Sequence, residues 1–495
     1  MAKRTDARAS TKGTRTSPRV TAATAPVRGG RRSDESKLAA VVADRIVGDI
    51  ADMGWPVGEV VGSEAELLAH YGVSRAVFRE AVRLVEHQRV ARMRRGPGGG
   101  LVVAEPEVDS VTDAVCIYLF YVGAEIDEVL EARLALEATA AELASTRLDE
   151  VKAEALRALV AREERGTVTD HRELHTLVGA MSDNPALGVF VEIVNRVMTL
   201  FLARDAGLAS KTLKESATAH VAIATAILAG DAGRARHRMN VHLTAEADYL
   251  RTRRPSRERL ADLRNVVGRS DKRGEETARQ ILLEVAAADW PVGTLLGSEA
   301  ELMARYDISR AVLREAVRVL EHHQVARMRR GPGGGLFVAE PGVEATTEAI
   351  ALQVERQGIT PAHLFEVRGA VEMSVLDRVM ADLDEEGIAR LGTALDTERA
   401  ATTEEFGVVG HDLHGVLASV AGNRVLEMLT LVLLRLTRHH MRRPAGAPNP
   451  LEDPIPNQDV MRAHRAIVDA IFARDGELAR HRTRRHLDAL RDWAN

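Results

Sequence analysis

Cysteine is almost absent, Cys116 being the only one in 495 residues. That excludes an internal disulfide framework and a cysteine-based zinc finger. Aromatic residues make up only 3%, so the cores must be built from Leu, Val, Ile and Ala, a composition that suits helices. Long apolar runs are also missing. The most lipid-like stretch, Leu426 to Leu436, is interrupted by Glu427 and Arg435, well short of the roughly 18–20 residues a membrane helix needs. The start, MAKRTDARAS, has no apolar segment of the secretory kind, and the expectation is a cytoplasmic protein. Excess positive charge is lacking too. The net charge is −5, so the chain as a whole is no nucleic-acid coat, and polyanion binding must come from local patches.

The length fits three or four domains at about 100–200 residues each. Residues 1–33 hold nine Lys/Arg against one acid, Asp6, and read as a disordered basic tail, either an arm on DNA or a solubilising segment. The decisive feature is a repeat. WPVGEVVGSEAELLAHYGVSRAVFREAVRLVEHQRVARMRRGPGGGLVVAEP begins at Trp55 and returns without a gap from Trp290, 235 residues later, with about three quarters of positions identical. The longer segments C-terminal to the two copies match only in outline. The reading is a winged helix-turn-helix domain at 34–106, a helical effector-binding domain at 107–254, a linker at 255–271, a second winged helix-turn-helix at 272–341 and a second helical domain at 342–495. The fold class is therefore mainly α.

In the first copy, Leu38 to Met53 has helical apolar spacing. Ser63-Glu64-Ala65-Glu66 is a capping box opening a helix to about His70. Tyr71-Gly72-Val73 is a tight turn, and Ser74 caps a third helix from Arg75 to about His87. Phe78, Ala81 and Val85 share one face of that helix, and Arg75, Arg79 and Arg83 form an adjacent stripe. VARMRR and LVVAE then read as a two-stranded wing, its Gly96-to-Gly100 tip entered through Arg94 and Arg95. Arginines at the start of such a helix reach guanine edges in the major groove. A glycine-rich tip allows close approach to the sugar-phosphate chain. The plainer reading makes the arginines a solvated face paired with Glu80 and Glu86. RRGPGGG is no phosphate loop, since it lacks the Gly-Lys-Ser/Thr ending.

GSEAELLAHYGVSRAVFREAVRLVE resembles the signature of GntR-family transcriptional regulators across both small modules. The resemblance implies that Arg75, Arg79, Arg310 and Arg314 read bases and that Gly98 and Gly333 are the wing glycines; with the caps Ser74 and Ser309 and the wing-entrance arginines Arg94, Arg95, Arg329 and Arg330, these form the expected DNA-binding set. Ala65 and Ala300 stand where the family usually has a DNA-contacting arginine, and Gly62 and Gly297 where proline is common.

The long modules, anchored by IDEVLEARLALEATAAELA and LFEVRGAVEMSVLDRVMA, resemble the six- or seven-helix effector-binding bundle of the FadR-like subfamily. The resemblance implies a divalent metal, zinc or nickel-like, on three histidines and an aspartate. Here the histidines are His175, His220 and His242, and then His414, His464 and His486, with the last two 22 apart in both sets. The aspartate position holds His171, beside Asp170, in the first module and Gly410, near His411, in the second. His171 and His175 share a helical face, so the first site is expected to hold metal more tightly. Arg133 and Arg368 read as structural ion pairs or as bidentate holders of an acidic effector.

The function expected from this reading is a sequence-specific DNA-binding regulator, a repressor, tuned by a small organic acid, with two reading heads in one chain forming a pseudo-dimer and a further homodimer left open. Two alternatives come from other classes: a metal-dependent enzyme on the histidine sites, and an effector-independent architectural DNA-binding protein. Glu173, two residues from both His171 and His175, is poorly placed as a general base.

Overall fold

The computed structural model describes residues 30–88, 90–94, 96, 98–104, 108–167, 172–202, 210–253, 263, 266, 272–401, 412–440 and 454–494. Most of the basic tail, Arg95 and His171 lie outside them, as do Asp170, Gly410, His411 and most of the 255–271 linker.

Three helices and a small sheet form the first DNA-type module: α1 (Gly30–Asp52), α2 (Glu64–Tyr71) and α3 (Arg75–His87), with β1 (Val60–Gly62), β2 (Ala91–Arg94) and β3 (Gly100–Val103). One expectation is corrected here: the first helix begins at Gly30, inside the segment assigned to the tail. The expected two-stranded wing, β2 with β3, is present, and β1 joins it as a third antiparallel strand in the order β1-β3-β2. Ser63 makes the expected capping box with Glu66, and Ser74 accepts from Val77 N–H. Gly72 closes α2 in the left-handed region at φ 64°, where L side chains are strained. The second copy uses Asp307 there at φ 49°, since a short polar side chain tolerates that conformation. Ile46, Ile50, Phe78, Val85 and Leu101 are fully buried together, and truncating Phe78 to Ala is expected to cost about 3–5 kcal/mol.

The second module repeats this with α11 (Arg273–Ala287), β4 (Leu295–Gly297), α12 (Glu299–Tyr306), α13 (Arg310–His322), β5 (Ala326–Arg329) and β6 (Gly335–Val338).

Each long module contributes seven described helices. In the first these are α4 (Val108–Tyr121), α5 (Ile126–Thr146), α6 (Glu150–Glu164), α7 (Glu173–Met181), α8 (Pro185–Leu202), α9 (Ser210–Leu228) and α10 (Ala232–Arg253). In the second they are α14 (Val343–Glu355), α15 (Pro361–Asp382), α16 (Glu385–Ala400), α17 (Asp412–Val420), α18 (Arg424–His440), α19 (Pro454–Phe472) and α20 (Gly476–Ala494). Among the described residues no helix is long and apolar enough to cross a membrane.

The two bundles pack through α5 and α15, and the contact is pseudo-two-fold. Asn184 Nδ2 donates to His363 O and to Glu366 Oε2, both at 2.8 Å. Asn423 Nδ2 donates to Glu128 O at 3.2 Å and Glu131 Oε2 at 2.8 Å. His363 and Glu366 are the repeat equivalents of Glu128 and Glu131, so the same patch faces itself, as in an isologous dimer. Glu128 also accepts from Arg424 Nη1 at 2.9 Å.

The small modules dock crosswise. The first rests on α14 of the second bundle: Gln88 Nε2 donates to Glu348 at 2.6 Å, Arg356 lies 5.0 Å from the centre of the Trp55 ring, and Leu352 joins the first module's core. The second rests on α4 of the first bundle, with Trp290 5.8 Å from Tyr121 and 6.2 Å from Phe120. Trp55 and Trp290 are repeat equivalents.

Candidate functional site

The helix that carries Arg75 and Arg79 starts at a capped, exposed N-terminus, and both side chains are about two-thirds or more exposed. Glu64, one helix away, holds them: Arg79 Nε donates to it at 3.2 Å, and Arg75 lies 3.9 Å from it. Arg83 pairs with Glu80 at 2.6 Å, as the solvated-face reading anticipated for that residue alone. Glu86, the other acid in that reading, instead accepts from Met93 N–H at 2.8 Å and ties the helix to the wing. In the second copy Arg310 pairs with Glu299 at 2.9 Å, and Arg314 is exposed. Such surface pairs contribute about 0–1 kcal/mol and yield readily to phosphate or a base edge. Ser309 caps α13 as Ser74 caps α3. Arg94 donates to Gly98 O across the wing tip at 2.9 Å, Arg329 covers the Phe337 ring at 4.3 Å, and Arg330 is exposed. Gly98 and Gly333 have φ of 69° and 71° and open space around them.

Deep in each bundle, three helices bring the histidines together. His175 on α7, His220 on α9 and His242 on α10 are buried, with His220 Nε2 3.3 Å and His175 Nε2 3.4 Å from His242 Nε2. His414 on α17, His464 on α19 and His486 on α20 repeat this, with distances of 3.1 and 3.4 Å to His486 Nε2. An ion about 2.0–2.1 Å from each nitrogen with tetrahedral angles sets the nitrogens roughly 3.3–3.4 Å apart.

The outer ring nitrogens fix the tautomers. His175 Nδ1–H donates to Glu137 at 2.5 Å and His220 Nδ1–H to Glu163 at 2.8 Å. His414 and His464 donate likewise to Glu372 and Glu398, at 2.9 and 2.6 Å. With those protons committed outward, the Nε2 lone pairs converge on one point, an arrangement that a cation relieves. Burial, then the neighbouring imidazoles, push His242 down to about 2, and burial lowers His464, so both rings are neutral near pH 7, the form a metal ion needs. The fourth-ligand positions, His171 with Asp170 and Gly410 with His411, lie outside the described residues. Glu173 pairs with Arg162 at 2.5 Å.

The supporting glutamates were missed from sequence. A signal existed: Glu137/Glu372 and Glu163/Glu398 hold the 235-residue offset within segments that have otherwise drifted apart.

Arg133 and Arg368 lie behind these glutamates, 2% and 0% exposed. Arg133 Nε donates to Glu137 at 2.7 Å, and its Nη1 reaches Glu246 on α10 at 3.1 Å. Burial opposes its charge, but the two carboxylates outweigh that and raise its pKa. Arg368 Nε donates to Glu372 at 2.7 Å, which helps hold that carboxyl at about 2 against burial.

Residues 128–245 and 363–489 each match the family described as FCD domain. The chain carries two FCD domains. With a winged helix ahead of each FCD domain, its make-up is that of a GntR-type transcription regulator. It is 28% identical over 219 residues to the uncharacterized HTH-type transcriptional regulator YcbG of Bacillus subtilis, covering 44% of this chain and 88% of that protein. Against the HTH-type transcriptional repressor NanR of Cronobacter sakazakii it is 25% identical over 242 residues, covering 46% and 91%. The solved Streptococcus agalactiae GntR aligns at TM-score 0.33 and 23% identity, covering 43% of this chain and 99% of that one. Less than half of this chain spans nearly the whole of each of these two curated relatives.

Proposed function

We propose that the chain is a transcriptional repressor that reads a two-fold operator with both winged helices of a single molecule and is released by a small carboxylate-bearing metabolite. The observation that carries this reading is the pseudo-two-fold pairing of the FCD domains with the DNA modules docked crosswise on α4 and α14. Any change in how the FCD domains pack is thereby passed to the reading head of the opposite half. Ser74, Arg75, Arg79, Arg94, Arg95 and Gly98 are the DNA-facing set of the first head. Ser309, Arg310, Arg314, Arg329, Arg330 and Gly333 are that of the second. The repressor role is supported by the relatives named NanR.

The histidine triads would hold a divalent, zinc- or nickel-like ion, which when bound supplies a Lewis-acidic position for an oxygen ligand. Three neutral nitrogens with carboxylate-braced rings suit such an ion, and Glu137, Glu163, Glu372 and Glu398 orient them. Arg133 and Arg368 are the candidate effector-binding groups. Footprinting on the DNA flanking the protein's own gene tests the reading: a protected site with two-fold half-sites is expected, while sequence-independent coating would refute it.

A further inference from the structure

We infer that the two FCD domains are unequal sensors: the second takes a small carboxylate on Arg368, whereas the first carries a carboxylate of its own, Glu246, at the equivalent arginine. The inference rests on the proposed reading that these domains bind an anionic effector, and it assigns which of them does so.

A guanidinium has five N–H donors, and burying it without partners is costly. In the first domain the charge of Arg133 is shared between Glu137 and Glu246. Glu246 lies four residues after His242, one turn further along α10. Four residues after His486, on α20, stands Leu490, 7% exposed. Arg368 therefore keeps only the Glu372 bond from its Nε. Its Nη1 and Nη2 are buried with no hydrogen-bond partner among the described residues, and the Phe365 ring lies 5.2 Å away.

The other acids around the two sites match, Glu137 with Glu372 and Glu163 with Glu398. Exchanging Glu246 for Leu490 removes one negative charge from the second site. An incoming anion is repelled by Glu246 in the first domain and meets two free parallel donors in the second, the geometry a carboxylate takes bidentately. A cavity of about 20 Å³, little more than one water-sized sphere, lies at the histidine triad, lined by Glu372, Leu376, His414 and His464 and not by Arg368, so an anion on the fully buried Arg368 has to open its own space, which favours a short one.

The test uses sodium acetate as probe against sodium chloride at equal ionic strength, on the full chain, with zinc and separately with chelator. The readout is the unfolding midpoint as a function of anion concentration. Wild type is expected to show a saturable acetate stabilisation, and Leu490→Glu an apparent affinity about tenfold to a hundredfold weaker. Glu246→Leu, at a partly exposed position, gives the first domain the residue the second has at Leu490 and frees the Arg133 Nη1 donor; it should gain a second acetate-dependent stabilisation, which guards against Leu490→Glu failing to fold. Absence of a specific acetate effect in wild type, or an unchanged response in Glu246→Leu, overturns the assignment. If acetate binds as expected but leaves DNA affinity untouched, the effector reading fails and the assignment to Arg368 stands.

Discussion

Replacing Asn184 or Asn423 with alanine should destabilise the joined FCD pair by similar, large amounts. Each asparagine is about 1% exposed and sits at the start of the helix that reaches its partner domain. The Asn423 amide donates to Glu128 O and Glu131, while its oxygen accepts from Val425 N–H at 3.0 Å and Leu426 N–H at 2.9 Å. Asn184 donates to His363 O and Glu366 and accepts from Leu187 N–H at 3.0 Å. Losing such a cap costs about 1 kcal/mol, and leaving buried groups of the partner domain unpaired adds about 1–3 kcal/mol. Each variant should therefore lose roughly 2–4 kcal/mol. Urea unfolding followed by helical circular dichroism checks this, with Asn184→Ala and Asn423→Ala measured side by side. A loss below about 0.5 kcal/mol in one variant and several in the other would refute the pseudo-two-fold reasoning, because equivalent positions would then carry unequal loads.

Arg79→Ala and Arg314→Ala should each weaken specific DNA binding by about 1–3 kcal/mol, measured by titration of the footprinted site; one silent variant would break the picture of two equal heads. Glu137→Gln and Glu398→Gln should each lower metal affinity about 10–100-fold in their own domain, read as metal content per chain after graded chelation. In the same assay the second domain of the wild type should lose its ion first. Stability should fall as pH drops below about 6.5, because His242, held at about 2 in the fold, takes up its proton only on unfolding. The contribution is present above the unfolded pKa and is lost at about 1.4 kcal/mol per pH unit per such histidine. A midpoint that is flat from pH 7 to 5 would contradict it.

α2 and α3 were legible almost to the residue because local chemistry decides them: α3 runs from Arg75 to His87 as its serine cap and apolar stripe require. β1 was not legible. Val60-Val61-Gly62 is too short to show alternation, and its partner β3 lies some forty residues on. The clue lay at Gly100, where a Cβ would come within 2.4 Å of Gly62 O, a close approach that only a paired strand explains. The histidine triads could be read from repeated spacing, whereas the supporting glutamates resemble solvated charge on their helices, and in the sequence only their kept 235-residue offset sets them apart. Cross-docking was invisible for another reason. Trp55 and Trp290 look like ordinary core residues, and only the fold places each against the opposite half.

The central claim, that one chain is a fused dimer with two reading heads, is tested most directly by the mass of the complex with a single footprinted operator, measured by light scattering. One chain per pair of half-sites is predicted. Two chains per pair, each engaging DNA through one winged helix, would contradict it.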